Sequence, residues 1–251
     1  MDSFIKEIDV NFEVFFNEVQ VNIDNVIQNN NTDKEQFKLS YRRLVSYQAW
    51  MSEILEKVTC EESLSFFIEA QNDALMSHSL ARQGSWRVAL MSLRSCIENT
   101  VFGLYYIQHP VELELWTEGK HKLGFTETVN YLLKHPKFHS TNSTINGIET
   151  LKAEYATLSK AVHGSSKLFR MTKTGQIEGL NVASPSDFSS WRTREISVLN
   201  SLNLILLCFF QDELVGAANS NLRKAISVAI NQSKFPLIKS ELKINLIKPT
   251  P

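Results

Sequence analysis

The sequence predicts an all-α protein, and three observations carry that expectation. Apolar residues recur at spacings of three and four over long stretches, while few segments alternate with period two. Helix-opening signals repeat: Thr32-Asp33-Lys34-Glu35 and Thr59-Cys60-Glu61-Glu62 have capping-box spacing, and Ser184-Pro185 sets an N-cap before a proline at the first helical position. Only 9 glycines and 6 prolines interrupt the 251 residues, so breaks are few and mark where helices stop.

The first helix is predicted from Ser3 to Gln28, with Phe4, Ile8, Phe12, Phe15, Phe16, Val19, Ile23 and Ile27 on one side, and Asn29-Asn30-Asn31 ends it. The second runs to Val58 and the third to Gln83, where Gly84 stops it. Ser85 is placed to cap a fourth, Trp86 to Gln108. His109-Pro110 breaks that one, because proline disfavours α geometry in the residue before it. Short helices near Val111–Thr117 and Thr126–Lys134 precede a polar loop, His135 to Thr144. A long helix follows from Ile145 to Val162, and Gly164-Ser165-Ser166 ends it.

Phe169 to Ile177 reads as a hairpin with Thr174-Gly175 in its turn, part of an exposed excursion reaching Ala183. The helix opened by Ser184-Pro185 extends to Leu214, and another covers Ser220–Asn231. The partly alternating tail, Leu237 to Ile247, reads as an edge strand or a docked extension. The simplest architecture is a single helical bundle with a small β-hairpin excursion and an extended C-terminal tail. Residues 1–60 form an N-terminal helical pair packed on the bundle. Residues 61–232 form the bundle itself with a hairpin near 168–180, and 233–251 form the extension.

Composition narrows the function classes. The chain has 26 Lys and Arg against 27 Asp and Glu, a net charge of -1. A dedicated DNA binder carries a basic excess, and no convincing helix-turn-helix is present, so a DNA-binding regulator is the third choice. Cys60, Cys96 and Cys208 are widely separated in apolar helical contexts and read as reduced core thiols. The apolar stretch Leu199–Phe210 is half a membrane span and contains Asn200, Ser201 and Asn203, so it reads as a buried helix. The first residues lack the apolar core of a signal peptide, and a soluble, cytoplasmic protein without a membrane partner is expected.

The fourth helix holds the most informative residues. At about 100° per residue, Arg94, Glu98 and Tyr105 fall inside the apolar arc of Leu90, Met91, Ile97, Val101 and Phe102. Buried charges are costly unless paired. Arg94 and Glu98 therefore either form an internal ion pair that fixes helix register or line a polar pocket, and both can hold together. Tyr155, Leu158 and Val162 continue an apolar stripe from Ile148 and Leu151, with Ser159 and His163 on its flank. His163 either caps the carbonyls at its helix C-terminus or stands beside Arg94 and Glu98 as an acid or base. Arg94, Glu98 and His163 are the candidate catalytic residues, and Tyr105, Ser159 and Lys160 the candidate ligand-binding ones.

Other patterns say less. His135 and His139 have a metal-ligand spacing but sit in a proline-containing loop, so no metal is expected there. Trp116-Thr117-Glu118-Gly119-Lys120-His121-Lys122 reads as a solvated turn. Arg82, Arg87, Lys160, Lys167, Arg170 and Lys173 read as scattered surface charge or a local basic surface. Phosphate-loop, dinucleotide, zinc-protease and nucleophile-elbow motifs are missing, and no cofactor is expected.

The pattern Arg94-Ser95-x-x-Glu98, then Tyr105-Tyr106, His109-Pro110 and Tyr155-x-x-x-Ser159-x-x-x-His163-Gly164 resembles a set of bacterial helical proteins. These are distantly related to the HEPN (higher eukaryotes and prokaryotes nucleotide-binding) bundles. The resemblance covers Ser77–Ser166, about a third of the chain, and its motifs are short. It implies a toxin, a ribonuclease or a phage-defence component, and a homodimer or a complex with a partner protein. HEPN ribonucleases carry an arginine, then four to six intervening residues, then a histidine. No histidine here (His78, His109, His121, His135, His139, His163) has an arginine so placed. The resemblance therefore implies first a binding, regulatory or effector module of phage defence or a toxin–antitoxin system. The alternative is an enzyme cleaving RNA or a nucleotide without metal, with Arg94 on phosphate, His163 as acid or base, and Glu98 orienting one of them.

Overall fold

The computed structural model describes residues 3–29, 33–163, 181, 183–216 and 219–248. Among them the chain is helical, with no strand. Helix α1 is Ser3–Asn29, and α2 is Lys34–Trp50, which continues through a π turn, Met51–Leu55, into Glu56–Val58. Helix α3 is Glu61–Arg82, α4 Trp86–Gln108, α5 Pro110–Thr117 and α6 Phe125–Lys134. Helix α7 is Ile148–His163, α8 Pro185–Phe209, α9 Ser220–Ala229 and α10 Phe235–Leu242.

Two helices organise the core. The hairpin of α3 and α4 is the most extensive pairing, and α4 also packs on α6, α7 and α8. Gly103 lets α3 come close, because a Cβ there would lie 2.7 Å from the Phe67 ring. Helix α8 is the central rod: Leu202 and Leu204 to Cys208 are fully buried, as a helical segment apolar on every side must be. No helix among the described residues is long and apolar enough to cross a membrane.

Helix α2 is fastened to α8 by polar contacts as well as packing. Arg43 Nη2 donates to Glu195 Oε2 at 2.6 Å and Nε to the same oxygen at 3.0 Å. Ser40 Oγ donates to Glu195 Oε1 at 3.1 Å and shares a 2.9 Å hydrogen bond with His78 Nδ1 on α3. Two turns further, Trp50 Nε1 donates to Asn203 Oδ1 at 3.0 Å, while Asn203 Nδ2 donates to Ser46 Oγ at 3.0 Å. Every member of this ladder has its partner, which makes so much buried polarity tolerable.

One expectation is left untouched and several need correction. The hairpin expected over Phe169–Ile177 lies outside the described residues. The polar loop after Lys134 contains two one-turn helices, Pro136–His139 and Ser143–Asn146. The long helix expected from Ile145 instead starts at Ile148, because Gly147 takes a left-handed φ of 75° and the Asn146 side chain accepts from the Ile148 N–H at 3.1 Å. The helix opened by Pro185 stops at Phe209, and Gln211–Leu214 is a separate turn. Of the two readings of the tail the strand does not form: its first part is α10, and Lys243 in left-handed geometry turns it into a run outside any helix that buries Ile244 and Leu246, as a docked extension does. Cys96 and Cys208 are core thiols, and burial pushes both up to about 12. Cys60 is exposed, at the cap of α3, within 3.2 Å of Ser63 Oγ.

Helix α1 leaves the body. Its side is amphipathic, yet only Val26 is buried. Ile5, Ile8, Phe12, Phe15 and Phe16 are 44–62% exposed.

Candidate functional site

The antiparallel contact of α4 with α7 brings four of the polar residues into one closed ring. Arg94 Nη2 donates to Glu98 Oε1 at 2.8 Å and to the Tyr155 hydroxyl oxygen at 2.7 Å. Tyr155 donates its own proton to Glu98 Oε1 at 2.7 Å. Arg94 Nε donates to Ser159 Oγ at 3.2 Å, and Ser159 in turn donates to the Tyr155 carbonyl at 2.8 Å. The guanidinium carbon stands 4.9 Å from the Tyr155 ring centre, a cation–π distance, and Phe125 of α6 stacks on that ring at 3.5 Å. Burial, and then the bond to Glu98, raise the Tyr155 hydroxyl above its ordinary value, so it stays protonated and remains a donor.

The Arg94 and Glu98 side chains keep 22% and 24% of their surface exposed. The pair is half-buried, so the ring both ties α4 to α7 and borders solvent. Arg94 Nη1 makes no hydrogen bond among the described residues. The sequence places Tyr155 in an apolar stripe and at the head of the Tyr155-x-x-x-Ser159 pattern, but not among the candidate site residues. The signal that marks it is its place one turn before Ser159.

The remaining candidates lie elsewhere. His163 is exposed at the last residue of α7, and no hydrogen bond or ion pair joins it to Arg94 or Glu98. The cation at that helix end is Arg87, whose Nε donates to the Ala161 carbonyl at 2.9 Å and whose Nη2 donates to that of Val162 at 3.3 Å. Lys160 points to solvent.

Tyr105, three turns along α4 from Arg94, belongs to a different cleft of about 640 Å³ between α4 and α6. There it stacks on His109 with ring centres 3.8 Å apart, and His109 Nδ1–H donates to the Tyr105 carbonyl at 2.8 Å. Tyr131, Asn130 and Lys134 form the facing wall. Burial, with Glu112 and Glu127 nearby, raises the Tyr105 hydroxyl, which is therefore protonated at neutral pH.

No group of three or more metal-ligating side chains converges among the described residues. The His135–His139 spacing does not make a site. His135 Nδ1 accepts from the Lys137 N–H at 3.3 Å, and Nε2 bonds Gln108 Oε1 at 3.0 Å, so both ring nitrogens are occupied.

Sequence reasoning also missed the most deeply buried ion pair among the described residues, Arg43–Glu195. Glu195 is 1% exposed, and burial pushes its carboxyl upward against the opposing pull of Arg43. Nothing local marks this pair, because the partners are 152 residues apart. Compared with family models, curated proteins and solved structures, the chain matches none.

Proposed function

We propose that this chain is an all-helical binding module that docks a protein partner through α1. The HEPN-like resemblance over Ser77–Ser166 supports placing it as a regulatory or effector component of a phage-defence or toxin–antitoxin system. The observation that carries the docking reading is the apolar face of α1, exposed from Ile5 to Phe16. Water-soluble monomers rarely leave so large a contiguous apolar surface uncovered, and such patches mark interaction sites. Sedimentation velocity and affinity capture from source-cell extract test it, comparing wild type with a Phe12→Ser/Phe15→Ser/Phe16→Ser variant. The variant is expected to lose the association that the wild type shows. A wild type that neither self-associates nor captures a partner, or a variant that associates equally well, overturns the reading.

RNA or nucleotide cleavage is the second reading, and a single geometry favours it: Arg94 Nη1 is uncommitted at the edge of a half-exposed polar ring. An oxyanion there would meet a fixed guanidinium. The reading predicts RNA breakdown by the purified chain that Arg94→Ala abolishes and His163→Ala reduces. Intact RNA with the wild type removes it.

A further inference from the structure

Helices α1 and α2 follow one another and carry opposite chemistry on their outer faces. Over Ser3–Glu18 every residue of α1 is exposed. Ile5, Ile8, Phe12, Phe15 and Phe16 share one face, and the Phe12 and Phe16 rings are 5.8 Å apart along it. The stripe continues into Val19, Ile23, Val26 and Ile27, where it turns toward the body and is half-buried or buried. The exposed part is thus the overhang of a packing face. Glu7 and Glu18 border it on one side, Asp9 and Glu13 on the other, and Lys6 is the lone cation in that stretch.

Helix α2 shows the complement. Lys34, Lys38 and Arg42 stand in an i, i+4, i+8 row, all exposed, beside the exposed apolar surfaces of Tyr41 and Val45. Glu35 pairs with Lys38 at 3.5 Å, but both remain largely exposed. Neither Lys34 nor Arg42 has an acidic partner among the described residues.

We infer that the partner on α1 is a second copy of this chain, and that the apolar face of one α1 seats on the Lys34–Lys38–Arg42 face of the other copy's α2. The exchange is reciprocal about a two-fold axis, as closed dimers require. It rests on the reading that α1 is the docking element, and adds the occupant and the seat. Seating α1 on α1 would bring carboxylate rows together, and like charges across an interface are costly, whereas α2 offers each row a cationic one. The size is adequate. Phe12, Phe15 and Phe16 leave roughly 300 Å² of ring surface exposed per copy. Reciprocal docking uses that face twice and covers a similar area on each α2, on the order of the 1,200 Å² or more that specific interfaces bury.

The test is sedimentation equilibrium on the full chain and four variants: the phenylalanine triple variant, Glu13→Lys/Glu18→Lys, Lys38→Glu/Arg42→Glu, and the last two sets of changes together. The wild type is expected at twice the 28.7 kDa chain mass. Each charge-reversed variant should dissociate at least tenfold more readily, and the fourfold variant should return to within a few-fold of wild type. The substituted sites are exposed, so each variant is expected to fold, which circular dichroism checks. A dimer lost in the phenylalanine triple variant but unmoved by the α2 reversals overturns the α2 seat and leaves α1 docking intact. A strictly monomeric wild type overturns the second copy as occupant. If its phenylalanine variant also captures the same partners as wild type, α1 docking itself fails.

Discussion

At the scale of single residues, two arginine–glutamate pairs separate by their access to water. Arg43 and Glu195 are almost fully enclosed, with side chains 10% and 2% exposed. Arg43→Ala strands a buried carboxylate and is expected to cost about 3–5 kcal/mol. Arg94→Ala opens the half-exposed ring of Glu98, Tyr155 and Ser159, where water can replace the lost donor, and is expected to cost about 1–2 kcal/mol. Urea unfolding of the two variants checks the order, and an equal or reversed cost contradicts the assignment. His78 supplies a pH dependence beside the same network. Burial, then Arg82 and Arg43, hold its pKa below the ordinary histidine value. The unfolded chain therefore takes up the proton more readily than the native one. Stability is full above the unfolded value of about 6.5, and falls as pH drops below it toward the native value. The difference in unfolding free energy between wild type and His78→Gln should thus change between pH 7.5 and 5. A pH-independent difference would show that His78 does not titrate with folding.

At the scale of elements, local spacing was read well wherever one chemical signal dominates. Pro110, Pro185 and Gly84 mark boundaries that the structure keeps, because proline and left-handed glycine act through the backbone itself. The (i, i+4) pairing of Arg94 with Glu98 was legible for the same reason: it needs only a helix. Contacts set by tertiary packing were not legible. Gly147, between Asn146 and Ile148, lies inside the span whose spacing predicts one continuous helix from Ile145, yet it is where α7 begins against α8. A Cβ there would stand 2.6 Å from the Ser201 carbonyl oxygen, in a backbone conformation that strains L side chains. Gly147→Ala is therefore expected to destabilise the chain by at least about 2 kcal/mol, read by denaturant unfolding. A neutral substitution would mean that α8 yields at this contact. The meeting of Arg43 with Glu195, and that no hydrogen bond joins His163 to Arg94, are equally invisible to periodicity, which fixes the face of a helix and not its neighbour.

At the scale of the whole molecule, α1 shows the same limit in its most consequential form. Its apolar stripe was plain in the sequence, but a stripe has the same spacing whether its own chain or another covers it. The exposed half of α1 adds nothing to the packing of the body: residues 3–18 are all exposed, so removing residues 1–18 should leave a cooperative bundle. With α1 present, association should stabilise the chain by mass action, and the melting temperature should rise with protein concentration. The truncated chain should melt at one temperature throughout. A concentration-independent melt of the full chain would mean that α1 contributes nothing to assembly.

Amide hydrogen exchange over residues 3–18 tests the docking of α1 most directly. A solitary helix of that length in water is only marginally stable, so its amides exchange quickly unless something covers it. Protection of these amides is expected at concentrations where the chain associates. It should vanish on dilution and in the Phe12→Ser/Phe15→Ser/Phe16→Ser variant. Equally fast exchange at every concentration, or equal protection in the variant, would contradict the docking of α1 on another chain.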